Sequence, residues 1–309
     1  MSTLLIGGGG YIGSHLVPVL KASGRLVTVL GRRAQPAYSL PADVAYVQGD
    51  FADEAVLCRL LDTHQEVIHL AYASVPNTSY DDPLNDLRQN LYPAIALFTE
   101  LAARNGRLVL VSSGGTVYGN ALSVPIREDH PTHPISPYGV TKLTLEHYAN
   151  LYAVTRGLQY VCVRPANAYG VGQRPFAGQG FIAAAMGAAL RRKSVGIFGE
   201  IGTVRDYLYV EDMACGILHA LEYGKASETY NLGSGIGLSN IDVIEAMRPL
   251  MLEVGIKMAV EHLPERAFDV KVNVLDATKL RVETGWEPEI LFVEGMVRTR
   301  DWLLEVLGE

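Results

Sequence analysis

The chain has 309 residues, 49% hydrophobic and 19% charged, which suits an ordinary globular protein of one large α/β domain or two joined ones. A formal net charge of −7 argues against nucleic acid or an anionic membrane as partner, and no apolar run approaches the ~18 residues of a membrane span. Cys58, Cys162 and Cys215 are scattered without metal or redox spacing, and no leader precedes the first apolar run, so a cytoplasmic protein without a metal is expected.

The chain opens on an apolar run, Thr3 to Ile6, then a glycine-rich turn, then a helical pattern from Tyr11. Gly7, Gly10 and Gly13 are spaced three apart across that turn. Glycine there permits positive φ, lets backbone approach a pyrophosphate and lets the helix pack closely on the strand. The helix N-terminus then presents unpaired N–H groups to an anion. Arg25 to Leu30 forms the second strand, closing a βαβ unit within about 30 residues. An NAD site usually carries an acidic residue at this strand's end, but here the residues are Gly31, Arg32 and Arg33. Two guanidiniums without a carboxylate suit a 2′-phosphate, and so NADP, or else lie solvated on a loop.

The third strand, Val44 to Asp50, ends on an aspartate placed to contact an adenine or to cap the helix after Phe51. The fourth, Glu66 to Ala71, ends on a small residue that lets backbone lie beside a cofactor; His69 within it reads as a satisfied core histidine. Asp81-Asp-Pro begins a long helix running to Asn105, and the fifth strand, Leu108 to Val111, empties into Ser112-Ser-Gly-Gly-Thr-Val-Tyr-Gly119. Ser136-Pro-Tyr-Gly-Val-Thr-Lys142 then reads as a helix start, with Tyr138 and Lys142 one turn apart on a shared face. A lysine cation near a phenol favours the phenolate, lowering the tyrosine pKa and making it a usable proton donor and acceptor. Leu158 to Arg164 is a further buried strand, and the chain becomes richer in glycine and loops after about residue 165. Alternating strands and helices predict an α/β fold, a Rossmann-type doubly wound parallel sheet with a smaller C-terminal substrate-binding domain. The expected division is 1–165 for the dinucleotide and 166–309 mainly for the substrate, with some segments returning to the first domain.

The ordered set of motifs resembles the extended short-chain dehydrogenase/reductase superfamily, in its nucleotide-sugar epimerase and dehydratase branch. The resemblance runs from Gly7-x-x-Gly10-x-x-Gly13 through Gly49-Asp50, His69-Leu-Ala71, Asn90, Ser112-Ser113, Val117-Tyr-Gly119 and Ser136-Pro-Tyr-Gly-x-x-Lys142. It continues through Arg164-Pro-x-Asn167, Phe198-Gly199, Val204-Arg-Asp-Tyr207 and Arg266-x-x-Asp269. It implies Tyr138 as proton acceptor and donor, with Lys142 holding the nicotinamide ribose. It implies further cofactor contacts from Tyr11, Ile12, Asp50, Phe51, Leu70, Ala71, Asn90, Ser112 and Pro165. Asn167, Phe198, Arg205, Arg266 and Asp269 would meet the nucleotide or its diphosphate, and several separated arginines suit a diphosphate ligand. Ordinary ion pairs of Arg205 with Asp206 and of Arg266 with Asp269 are the alternative.

Two departures stand out. The family's catalytic serine or threonine, three residues before Val117, is Gly114 here, so Ser113, Thr116 or a water must substitute. The dehydratase branch carries an Asp-Glu pair where this chain has Gly115-Thr116, which argues against sugar dehydration. The resemblance therefore implies NAD(P)-dependent redox chemistry at C4 of a nucleoside-diphosphate sugar, foremost 4-epimerisation of a UDP-sugar. An NADPH-dependent 4-keto-sugar reductase is the alternative that Arg32 and Arg33 favour, and a non-catalytic dinucleotide-binding sensor is the alternative that Gly114 favours. A homodimer is expected, because the helices 83–105 and 137–155 carry apolar residues around more than one face: Leu91, Ile95 and Leu97, and Leu143, Leu145 and Leu151.

Overall fold

A computed structural model describes residues 1–176, 178–265 and 270–307. The chain begins β1 (Ser2–Ile6), α1 (Tyr11–Ala22), β2 (Leu26–Gly31), β3 (Ala45–Gln48), α2 (Glu54–Leu61), β4 (Glu66–His69), α3 (Pro76–Ser79), α4 (Pro83–Ala103) and β5 (Arg107–Val111). It continues α5 (Pro137–Arg156), β6 (Gln159–Pro165), β7 (Asn167–Tyr169), α6 (Phe181–Leu190), β8 (Val195–Phe198), β9 (Val204–Tyr209), α7 (Val210–Tyr223) and β10 (Thr229–Leu232). It closes with β11 (Gly237–Ser239), α8 (Asn240–Glu253), β12 (Val260–Leu263), β13 (Val272–Asn273), α9 (Thr278–Thr284) and α10 (Phe292–Leu307).

Among the described residues, seven parallel strands form one sheet in the order β10-β6-β5-β4-β1-β2-β3. This is the doubly wound architecture. Successive residues of β1 feed opposite faces: Leu4 and Ile6 join the core under α2, α4 and α5, while Leu5 joins the core under α1 and α7. The strand order reverses between β1 and β4, and the crevice at such a switch point, outside the C-terminal strand ends, is where open α/β sheets bind ligands. A third core packs α6, α8 and α10 against β8 and β9 beside that crevice. Meanwhile β10 pairs in parallel with β6, so the chain returns to the large sheet after residue 166.

Two strands are shorter than their sequence suggests. The fourth stops at His69, because the N–H groups of Leu70 and Ala71 both donate to the Ile6 carbonyl, at 3.0 and 2.9 Å, and the chain turns there. The third stops at Gln48, after which Asp50 accepts from Ala52 N at 3.0 Å. The helix cap that follows is Asp53, which accepts from the N–H groups of Ala55 and Val56; Asp50 does not cap this helix. No helix among the described residues is long and apolar enough to cross a membrane.

Candidate active site

One cleft of about 690 Å³ opens at the switch point, lined by Gly7, Gly10, Tyr11, Ile12 and Gly13 from the first turn and Leu70 from the end of β4. Ser112, Ser113, Thr116, Tyr138, Lys142, Pro165, Asn167 and Arg205 complete much of its wall. The structure thus brings together most of the positions singled out from the sequence.

At the first turn, Gly7 has φ +85°, and a Cβ there would stand 2.7 Å from the backbone N and Cα of Ala71. A Cβ at Gly13 would run into the backbone of Gly8, so the helix lies directly on the turn. Gly10 is the N-cap of α1 and supplies no side-chain hydrogen bond, which leaves first-turn N–H groups of the helix facing the cleft. The Tyr11 hydroxyl beside it is buried without a hydrogen-bond partner. An uncapped helix end and a glycine cradle together suit a pyrophosphate-bearing dinucleotide.

At the far side, Ser136 caps α5 by accepting from Gly139 N at 3.1 Å, and Pro137 occupies the first helical position. That start fixes Tyr138 and Lys142 against the end of β5. Lys142 Nζ donates to the Val111 carbonyl at 2.8 Å, and the Ser113 side chain acts on the Tyr138 phenol. Burial lowers the Lys142 ammonium to about 8. Burial pushes the Tyr138 phenol up; the Ser113 side chain opposes that rise and the Asp86 charge adds to it. Lys142 therefore does not lower this phenol as expected: its nitrogen stands 5.7 Å from the ring centroid, and loss of solvent outweighs it.

The turn that carries Ser113 is held from behind by a buried ion pair. Glu146 of α5 takes Arg164 Nη2 at 2.6 Å and the Ser112 hydroxyl, while Arg164 Nη1 donates to the Tyr118 hydroxyl at 2.8 Å. Gly114 lies inside this arrangement, donating to the Pro165 carbonyl at 2.9 Å and accepting from Asn273 Nδ2 at 2.9 Å. A Cβ at Gly114 would meet Leu275 and stand 2.9 Å from the Arg164 carbonyl. The missing serine is thus a packing feature, and its side-chain direction leads into the protein. Thr116 Oγ1 is buried in the cleft wall without a hydrogen-bond partner, leaving an unpaired hydroxyl in the lining that Tyr138 shares.

Other expected positions fall elsewhere. Arg32 and Arg33 are exposed on the loop after β2, where Arg32 Nη1 reaches Gln89 at 3.4 Å and the Arg33 carbonyl accepts from the Tyr46 hydroxyl at 2.8 Å. Asp50, Phe51, Ala71 and Asn90 support the lining without joining it. Phe51 packs edge-on against His69, its ring centroid 5.1 Å away, and Asn90 accepts from Ala73 N at 2.8 Å. His69 is buried with neither ring nitrogen hydrogen-bonded, so it is not the satisfied histidine expected; burial, with Lys142 adding, lowers it to about 3 and keeps it neutral. Phe198 ends β8, paired with Leu263, away from the cleft lining. The Asp206 carboxylate accepts from Ser234, Gly235 and Leu275, while Arg205 Nη1 donates to the Val204 carbonyl at 2.9 Å and lines the cleft. Arg266 and Asp269 lie outside the described residues. Tyr207, part of the Val204-Arg-Asp-Tyr207 motif, also lines the cleft, as do Tyr72, Ser74, Tyr80, Gln173 and Asn240, to which no motif pointed. Only Tyr72 left a local signal, an aromatic residue directly after His69-Leu-Ala71.

Comparison with known proteins agrees with this geometry. The family model for the NAD dependent epimerase/dehydratase family matches residues 3–233. A UDP-glucose 4-epimerase of Halalkalibacterium halodurans is 33% identical over 315 residues, covering 96% of this chain and 93% of its own length. A solved UDP-glucose 4-epimerase from Thermotoga maritima, crystallised with UDP-glucose, superposes with a TM-score of 0.93 at 31% identity, covering 99% of this chain and 100% of that one. Another from Thermus thermophilus, in complex with NAD, gives 0.89 at 32% identity, covering 98% and 99%. The chain belongs to the NAD dependent epimerase/dehydratase family.

Proposed function

We propose that the protein is a UDP-hexose 4-epimerase that uses a nicotinamide dinucleotide. The observation that carries this reading is one cleft in which Tyr138, beside Ser113 and buried Lys142, faces the same space as an uncapped glycine-cradled helix. The match to UDP-glucose 4-epimerases along nearly the whole chain supports it. Gly7, Gly10, Tyr11, Ile12 and Gly13 hold the pyrophosphate end of the dinucleotide, Leu70, Ser112 and Pro165 its nicotinamide end, and Lys142 the ribose between. When bound, the nicotinamide supplies the redox step at C4 of the sugar. Tyr138 takes the C4 hydroxyl proton and later returns it on the opposite face. Ser113 orients the phenol, and Thr116 offers its unpaired hydroxyl to the sugar oxygen in place of a residue at 114. Asn167 and Arg205 grip the nucleotide diphosphate, the guanidinium contributing charge-assisted hydrogen bonds. Residues 1–165 serve mainly the dinucleotide and 166–309 mainly the sugar nucleotide.

Incubating the protein with UDP-glucose, UDP-galactose and their acetamido and uronate counterparts, with products followed by NMR, tests this. Interconversion at C4 without added reductant is the expected result, and consumption of NADPH with a keto-sugar would replace the reading with a reductase. Cofactor choice is a finer proposal. Nothing acidic stands at Gly31-Arg32-Arg33, so the protein binds NADP(H) at least as well as NAD(H). Charge-assisted bonds to a 2′-phosphate contribute on the order of 1.5–3 kcal/mol when partly desolvated, against about 0–1 for a solvated arginine. Calorimetric affinities for both cofactors in wild type, Arg32→Ala and Arg33→Ala decide it; tenfold weaker NADP(H) binding would end the proposal. The protein is also proposed to pair as a homodimer through the outer faces of α4 and α5.

A further inference from the structure

Tyr72 follows the Ala71 turn and enters the cleft between the proposed acid–base residues and α4. Its ring centroid lies 4.6 Å from that of Tyr138, with the planes at 62°. Lys142 Nζ stands 4.3 Å from the Tyr72 centroid, closer than the 5.7 Å to Tyr138. The Tyr72 hydroxyl donates to Asp86 Oδ2 at 3.2 Å, and Asp86 is in turn held by Thr141 Oγ1 at 2.6 Å and by Ser74. The ring is therefore pinned at its polar end and offers its face to the ammonium. Among the described residues no carboxylate forms an ion pair with Lys142, whose one hydrogen bond runs to the Val111 carbonyl. A buried cation without a carboxylate partner gains most from an aromatic face, because desolvation strengthens a cation–π contact.

We infer that Tyr72 is a positioning residue of the acid–base unit: its ring face holds the Lys142 ammonium beside Tyr138, and its hydroxyl ties that unit to α4. The inference rests on reading Tyr138 and Lys142 as that unit. Other groups act on Lys142 from every side. Glu146 of α5 and Asp86 of α4 favour the cation, while burial keeps Cys162 of β6 a neutral thiol. His69 of β4 faces it as a neutral ring, lowered to about 3 by burial and by Lys142 itself. Tyr138 contributes its ring. Against burial, which lowers Lys142 to about 8, the Tyr72 face acts with the carboxylates to keep the charge in place.

The test compares Tyr72→Phe, which keeps the ring, with Tyr72→Leu and Tyr72→Met, which remove it. Lys142 is titrated directly by NMR in the full-length ¹⁵N-lysine protein, its signal assigned by loss in Lys142→Arg, and the pH profile of kcat is recorded alongside. Removing the ring is expected to move the Lys142 midpoint down by about one pH unit and to carry the alkaline limb of kcat with it. Tyr72→Phe should hold the midpoint near its wild-type position. A midpoint unmoved in both ring-less variants, or moved as far in Tyr72→Phe, overturns the inference. Absence of turnover in wild type would strike the epimerase reading instead and leave the titration to decide the role of Tyr72.

Discussion

At the scale of single residues, Tyr138 carries the most direct expectation. Tyr138→Phe should lower kcat by two to three orders of magnitude, about 3–4 kcal/mol of barrier, with affinity for UDP unchanged by calorimetry. Turnover near the wild-type rate would show that the proton leaves by another route. Gly114 carries an expectation of a different kind. Its Cβ direction meets Leu275 and the Arg164 carbonyl, so Gly114→Ser does not restore a catalytic hydroxyl to the cleft. It overpacks a buried turn and should destabilise by roughly 1–3 kcal/mol in denaturant unfolding. Lys142 adds a pH dependence. Its folded pKa, about 8, lies below its ordinary value of 10.5, so between those values the unfolded chain binds more protons. Its contribution to stability therefore rises with pH across that window and is least favourable below it. Urea unfolding at about pH 7.5 and about pH 10 should show wild type gaining on Lys142→Met at the higher pH.

At the scale of elements, the site depends on how α5 begins and on what it leans against. Ser136 caps the helix two residues before Tyr138, and Pro137 fixes its entry. Behind it, the buried pair of Glu146 and Arg164 links α5 to β6 and to the turn carrying Ser112 and Ser113. Removing one partner strands the other as an unpaired buried charge, which costs about 3–5 kcal/mol. Glu146→Ala is accordingly expected to lose that much in unfolding free energy. It should also displace Ser113, seen as a fall in kcat larger than any rise in KM. An unchanged melting curve would mean that solvent reaches Arg164 and the pair is not structural.

At the scale of the whole molecule, α4 and α5 pack on one another and on the sheet, and their outer faces carry exposed apolar residues among polar ones. Tyr92 is 70% exposed, Leu151 49% and Val154 78%. They replace Leu97 and Leu145 as the outward residues, because those two are fully buried against the sheet, while Leu91, Ile95 and Leu143 are half-buried. Exposed apolar residues on two adjacent helices suit a two-fold pairing of identical copies. Light scattering at micromolar concentration should give the mass of a dimer, and Val154→Asp with Tyr92→Glu should give that of a monomer; a wild-type monomer would remove the proposal.

Much of the site was legible because its signals are local. A glycine turn between a strand and a helix, and a tyrosine one helical turn before a lysine, are set by spacing along a few residues, and each kept that geometry in the fold. The alternation of strands and helices likewise implied a parallel sheet, since each crossover must return on one side. What needed the tertiary structure involves residues far apart in sequence. Tyr72, Asp86 and Lys142 come from the end of β4, from α4 and from α5, and only the packing of those elements puts a ring face against an ammonium. The direction of the Gly114 Cβ depends on Leu275, more than a hundred residues later. The state of His69 depends on its neighbours too, because burial withdrew water from a ring for which no neighbouring strand supplied a partner. Spacing pointed to a dinucleotide turn and an acid–base pair, and the ordered motifs resembled a family that implied the rest; the crossing of separate elements decided which groups stand close enough, and dry enough, to act together.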